Sequence, residues 1–117
     1  MDEFSWFVGI FEGEGCIQRK KVKTTHTLVT GEVKTYESDG TYITIRMTDE
    51  DTIARCASFL GVSYKPVKSY NSVSKKQLYQ VRKMGSAHKG KLRDLVDRMY
   101  PHLSTRRQGQ VDHACYK

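Results

Sequence analysis

The sequence has little to staple or interrupt it. Its 117 residues include only three cysteines and two prolines. Cys16, Cys56 and Cys115 are odd in number and far apart, with no CxxC pair and no Cys/His cluster. That excludes a disulfide framework and a Cys/His zinc centre, and it points to a reduced, intracellular protein. The histidines at 26, 88, 102 and 113 lack ligand spacing and read as surface or packing residues. No apolar run is long enough to span a bilayer. The short one near the N-terminus follows Asp2 and Glu3 rather than lysines, so neither a signal peptide nor a membrane segment is expected. There is no repeat, linker or low-complexity tract, and the length suits one domain, 1–117, around a single core.

Acidic residues are missing from one long stretch. Residues 62–93 hold Lys65, Lys68, Lys75, Lys76, Arg82, Lys83, Lys89, Lys91 and Arg93, with no Asp or Glu. Residues 2–15 show the reverse: Asp2, Glu3, Glu12 and Glu14, with no Lys or Arg. A second basic cluster, Arg19-Lys20-Lys21-Val22-Lys23, follows at once. The formal net charge is +7 and the sequence pI about 9.4. A surplus this concentrated predicts a polyanionic partner, nucleic acid before membrane.

Periodicity places the elements. Phe4, Trp6, Phe7, Val8, Ile10 and Phe11 predict a helix that is apolar on nearly every side, capped by Asp2 and stopped by Gly13 or Gly15. Cys16 to Lys23 reads as a strand. Residues 24–40 are polar and Thr-rich, with turn signals at Thr30-Gly31 and Asp39-Gly40, and predict an extended hairpin. From Thr41 to Met47, Ile43, Ile45 and Met47 alternate with Tyr42, Thr44 and Arg46, the pattern of a half-buried strand. A helix begins at Thr48, carries Ile53, Cys56, Ala57 and Leu60 on one stripe, and ends at Gly61. Val62–Tyr70 and Gln77–Met84 predict two strands around the turn Asn71-Ser72-Val73-Ser74. Leu92, Leu95, Val96 and Met99 mark another helix that Pro101 ends, and Ser104 caps a short last one.

The expected fold is therefore α+β, in the order α-β-β-α-β-β-α with an extra C-terminal helix. Helices cover one face of a four-stranded antiparallel sheet. The open face carries Gln18, Lys20, Thr44, Arg46, Lys68, Gln80 and Arg82. Antiparallel strands can enter the major groove, where Arg and Gln make paired hydrogen bonds to base edges and Lys reaches phosphates or guanine acceptors.

The stretch FVGIFEGEG, Phe7 to Gly15, does not fit a plain surface helix. Gly9 and Gly13 are four apart and share a face, although each costs a helix about 1 kcal/mol relative to alanine. Such a pair suggests the close approach of a second backbone, with Phe7, Gly9, Ile10 and Gly13 meeting another copy. Glu12 and Glu14 sit at the negative end of the helix dipole, which disfavours them by a few tenths to about 1 kcal/mol. A lysine from the basic strands or a divalent metal would offset that; an exposed helix end is the plain alternative. Carboxylate oxygens suit Mg²⁺, which takes one or two of them together with waters and phosphate oxygens.

FVGIFEGEGCI resembles the signature of the LAGLIDADG homing endonucleases, a helix that ends in acid-Gly-acid-Gly and runs into the first strand. ITIRMTDEDTIARCASFLGV resembles the second strand and second helix of that family. LYQVRKMG followed by LRDLVDRMYPHLSTRRQGQ resembles its last strand, third helix and basic tail. The resemblance implies a site-specific, Mg²⁺-dependent DNA endonuclease with Glu14 as metal ligand, where many members have Asp. Glu12 falls on the less critical acid. One motif per chain implies a homodimer, with two Glu14 residues meeting at the dyad over a long, roughly palindromic duplex. The family's active-site basic residue falls best on Lys83, with Arg82 on DNA and His88 or Lys89 as alternatives. A glutamine common near the end of the second strand is absent, replaced by Arg46-Met47-Thr48. A DNA-binding regulator without cleavage, or an intron RNA-binding splicing factor, would use the same fold. The chain begins at Met1 with no splicing domain beside it, which favours a free-standing or intron-encoded protein.

Overall fold

The structure is a computed structural model that describes residues 2–68 and 76–116. Helix α1 spans Glu3–Glu14, followed by strands β1 (Gly15–Thr27) and β2 (Val33–Met47), helix α2 (Glu50–Leu60), strands β3 (Tyr64–Val67) and β4 (Leu78–Ser86), and helices α3 (Lys91–Met99) and α4 (Thr105–Val111). A 3-10 turn, Tyr100–His102, joins the last two helices, and a π-helical turn, Asp112–Tyr116, follows them. The four strands form one sheet in the order β1-β2-β4-β3, and every neighbouring pair is antiparallel. The expected element order and fold class are those observed. Lys75 and the expected turn Asn71–Ser74 lie outside the described residues.

Caps explain the helix limits. The Asp2 carboxylate accepts the Ser5 N–H at 2.7 Å and starts α1. Asp49, rather than the expected Thr48, starts α2 by accepting the Thr52 N–H. Gly61 ends α2 at φ 71°, a left-handed conformation that side chains disfavour. Gly15 turns α1 into β1 where a Cβ would run into the Phe11 ring.

The β1–β2 hairpin is longer than the sequence pattern suggested. Its register runs from Gly15↔Ile45 out to Thr27↔Val33, and the Thr30-Gly31 signal makes the turn, with Gly31 at φ 86°. Asp39-Gly40 is not a turn. Both residues lie inside β2, where Asp39 accepts an Arg19 guanidinium N–H at 2.9 Å and Gly40 pairs with both Lys20 and Ser86. A strand on each side of Gly40 overrides the local turn preference.

The core lies between the sheet and the helices. Ile43 and Ile45 of β2 and Val81 of β4 meet Phe7, Val8 and Phe11 of α1 and the Ile53, Cys56, Ala57, Leu60 stripe of α2. Leu92, Val96 and Met99 of α3 and Val111 complete it. Phe7, expected at an interface between copies, belongs to this core: it is fully buried, and its ring stacks on Phe59 with centroids 4.7 Å apart. Ile10 is half-buried against the core. The Ser5, Gly9 and Gly13 positions of α1 face outward, and a Cβ at Gly9 or Gly13 would meet nothing within 4 Å. Among the described residues no helix is long and apolar enough to cross a membrane.

Candidate nucleic-acid interface

The strand pairing aligns the polar side chains of three strands. Gln18 opposes Tyr42, Cys16 opposes Thr44, Thr44 opposes Arg82, and Arg46 opposes Gln80. Alternation sends all of them away from the helices, because Ile17, Ile43, Ile45 and Val81 take the covered side. These groups are linked across the strands. Arg46 Nε donates to Gln80 Oε1 at 2.6 Å, and Arg82 Nε donates to Thr44 Oγ1 at 3.3 Å. The Arg82 guanidinium also sits 4.8 Å from the centre of the Tyr42 ring, and the Tyr42 hydroxyl donates to Gln18 Oε1. Each arginine thus has its Nε engaged by a neighbour. The terminal nitrogens of such a fork are the ones that recognise a base edge or a phosphate.

Glu14 joins this face from its edge. As the last residue of α1 it is exposed, and it lines a cavity of about 210 Å³ together with Cys16, Gln18, Thr44, Arg46 and Arg82. Among the described residues its carboxylate has no hydrogen-bond or ion-pair partner. A second cavity of about 390 Å³ continues along the sheet, lined by Lys65, Lys68, Gln80 and both arginines. The structure therefore brings Gln18, Thr44, Arg46, Lys68, Gln80 and Arg82 to one face. Lys20 lies further out on β1, exposed opposite Gly40.

Lys83 is not brought to Glu14. It opposes Ile43 on the helix side of the sheet, and its ammonium donates to the Leu60 carbonyl at 2.9 Å. Leu60 ends α2, so this cation caps a helix terminus, as the dipole favours. The sequence already carried the correction: Lys83 shares the parity of Val81, a core residue. His88 lies beside Asp39, its Nε2 3.8 Å from the carboxylate. Tyr42 takes the outward side that the alternation gives it but had no expected role there, and Lys65 reaches the face through the register that pairs it with Gln80.

Glu12 turns the other way. Its carboxylate accepts the Ser104 N–H at 2.6 Å and the Ser104 hydroxyl at 3.0 Å. The buried Arg107 guanidinium lies 3.7 Å from the same carboxylate. The backbone hydrogen bond from Ser104, aided by its hydroxyl and by Arg107, holds the Glu12 carboxyl below its ordinary value of 4.5. A lowered folded-state value stabilises the fold fully above pH 4.5, and that contribution is lost as pH falls through the folded value. Replacing Glu12 with Gln is therefore expected to lower the melting temperature at pH 6 and to narrow the gap to wild type as pH drops below 4.5. Calorimetry across that window checks it; a constant gap would contradict it.

A divalent metal fits the corner at Glu14 in a restricted way. No group of three His, Cys, Asp or Glu side chains gathers among the described residues. One chain offers the single Glu14 carboxylate, so waters, phosphate oxygens or a second copy must complete the shell, a donor set that suits Mg²⁺.

Comparison with known proteins bears on the fold. No protein-family model and no curated protein matches the sequence. Among solved structures, the homing endonuclease I-CvuI in complex with a DNA target and Mg matches with TM-score 0.55 and 17% identity, covering 94% of this chain and 61% of that one. The homing endonuclease I-TnaI matches with TM-score 0.54 and 20% identity, covering 97% of this chain and 67% of that one. I-LtrWI, a LAGLIDADG homing endonuclease bound to target DNA, matches with TM-score 0.51 and 12% identity over 92% of this chain and 33% of that one. The chain spans about three fifths of the length of I-CvuI, 61%.

Proposed function

We propose, from a chain that has the fold of the LAGLIDADG homing endonucleases, that it is a Mg²⁺-dependent, site-specific DNA endonuclease. It works as a homodimer that cuts both strands of a long, roughly palindromic target. The observation that carries this reading is Glu14: an exposed carboxylate, without a protein partner among the described residues, opening onto a face of arginines and lysines. A protein that only binds a polyanion gains nothing from an acid there.

The roles follow from chemistry. Lys20, Lys65 and Lys68 neutralise phosphates, and Gln18, Arg46 and Arg82 read base edges, whereas Gln80 is only 5% exposed. Thr44 and Tyr42 hold Arg82 in place, and Gln80 holds Arg46. Glu14 holds Mg²⁺, which when bound supplies charge relief at the phosphate and an activated water. In the cavity beside Glu14 the cations are Arg46 and Arg82, so these, rather than Lys83, are the candidates to stabilise charge at the cleaved phosphate. The outward Gly9–Gly13 face of α1 joins two copies and brings their Glu14 residues together.

The reading is tested by incubating the protein with a randomised duplex library in Mg²⁺, Ca²⁺ or EDTA and sequencing the ends. Paired cuts in one two-fold-related sequence class are expected in Mg²⁺ alone. Retention of a specific class without any cut would favour a DNA-binding regulator, and preference for structured intron RNA would favour a splicing factor.

A further inference from the structure

The geometry points to Arg107, in the short helix α4, as a positioning residue for Glu14, an inference that rests on the reading of Glu14 as the metal-binding acid. Helix α1 ends at Glu14, and the carbonyls of its last turn have no helical partners of their own. Arg107 satisfies one of them, that of Glu12, and also the first carbonyl of β1, that of Gly15. Its Nε donates to the Glu12 carbonyl at 2.9 Å, and its Nη1 donates to the Gly15 carbonyl at 2.5 Å. These bonds fall on either side of Glu14 in the chain. The guanidinium is planar, so it fixes the separation of the two carbonyls it grips.

Arg107 is itself held. It is 6% exposed, and Nη1 also donates to Gln110 Oε1 at 2.9 Å. Below it, the Glu12 carboxylate ties down Ser104, the cap of α4. The C-terminal segment is thereby anchored to the acid-Gly-acid-Gly turn at both ends of a short span. The charge matters as well. A buried cation at the negative end of α1 offsets the helix dipole there. Glu14 has no side-chain partner among the described residues, so the backbone alone sets its place. Acids that bind a metal must be held to within about 0.5 Å, and a misplacement of about 1 Å costs on the order of a hundredfold in rate.

The test uses the full chain with Arg107→Met and Arg107→Lys. The first removes charge and fork; the second keeps charge and loses the fork. Amide hydrogen exchange at residues 13–16 is expected to rise by about tenfold relative to the amides of β2 and β4. The Mg²⁺ midpoint of single-turnover cleavage should move up and the rate fall about a hundredfold, with Lys failing to rescue. Target affinity in Ca²⁺ should stay within about threefold. A merely structural arginine would lower the melting temperature but leave the midpoint of the folded fraction unchanged. Wild-type exchange at residues 13–16 in folded Arg107→Met, with an unmoved midpoint, would overturn the assignment. Should that variant not fold, Gln110→Leu removes one side-chain partner of the guanidinium and carries the same readouts. If wild type never cuts while exchange at these amides still rises, the clamp stands and the endonuclease reading falls.

Discussion

Replacing Glu14 with glutamine is expected to slow metal-dependent cleavage by at least about 10³-fold, or about 4 kcal/mol of transition-state stabilisation. Binding of the same target in Ca²⁺ should hold or tighten. The substitution keeps the shape of the side chain and removes its charge. Glu14 is exposed and makes no contact that the fold uses, so folding should be unaffected, as surface substitutions away from caps and ion pairs change stability by less than about 0.5 kcal/mol. Losing an acid from a face that carries Arg46 and Arg82 also removes a repulsion toward phosphate. Single-turnover cleavage and a binding titration on one preparation separate the two effects. Cleavage at the wild-type rate would remove Glu14 from the site.

Gly9→Leu is expected to abolish dimer formation and, with it, cleavage, while the single chain keeps its fold. Within one chain a Cβ at Gly9 meets nothing within 4 Å, and the position is exposed. A monomer has room for the larger side chain and no reason to carry glycine there; alanine would even stabilise the helix by about 1 kcal/mol. Close packing of two α1 helices gives glycine a purpose, because small residues let backbones approach. Light scattering and circular dichroism on Gly9→Ala and Gly9→Leu decide between these. A leucine variant that remains dimeric and active would show that copies do not meet on this face.

Much of the architecture was legible because local signals agreed with the global fold. Ile43 and Ile45 alternate with Tyr42, Thr44 and Arg46, and in the strand they predict the isoleucines take the helix-covered side while the other three take the opposite side, where Arg46 is exposed, Tyr42 half-buried and Thr44 buried between its strand neighbours. Gly61 stops α2 in the left-handed conformation its position suggested, and Ser104 caps α4 by accepting the Arg107 N–H at 3.3 Å. Where the structure departs from the expectation at Asp39-Gly40 and Phe7, the cause is non-local. Asp39-Gly40 is a turn pair by composition, but β1 and β4 flank it and hold it extended. Phe7 belongs to the most apolar helix face, and only the packing of Phe59 shows that its own chain covers it. Lys83 was placed by resemblance against its own alternation. Arg107 gave no signal, because the carbonyls it grips belong to residues 12 and 15, at the other end of the sequence.

The most direct test of the central assignment is anomalous diffraction from crystals of the protein with a duplex target and Mn²⁺ in place of Mg²⁺. The expected result is a manganese peak within coordination distance of a Glu14 carboxylate and a backbone phosphate, at or beside a two-fold axis relating two chains. Glu14 paired instead with a lysine or arginine, with no metal peak at either copy, would contradict it.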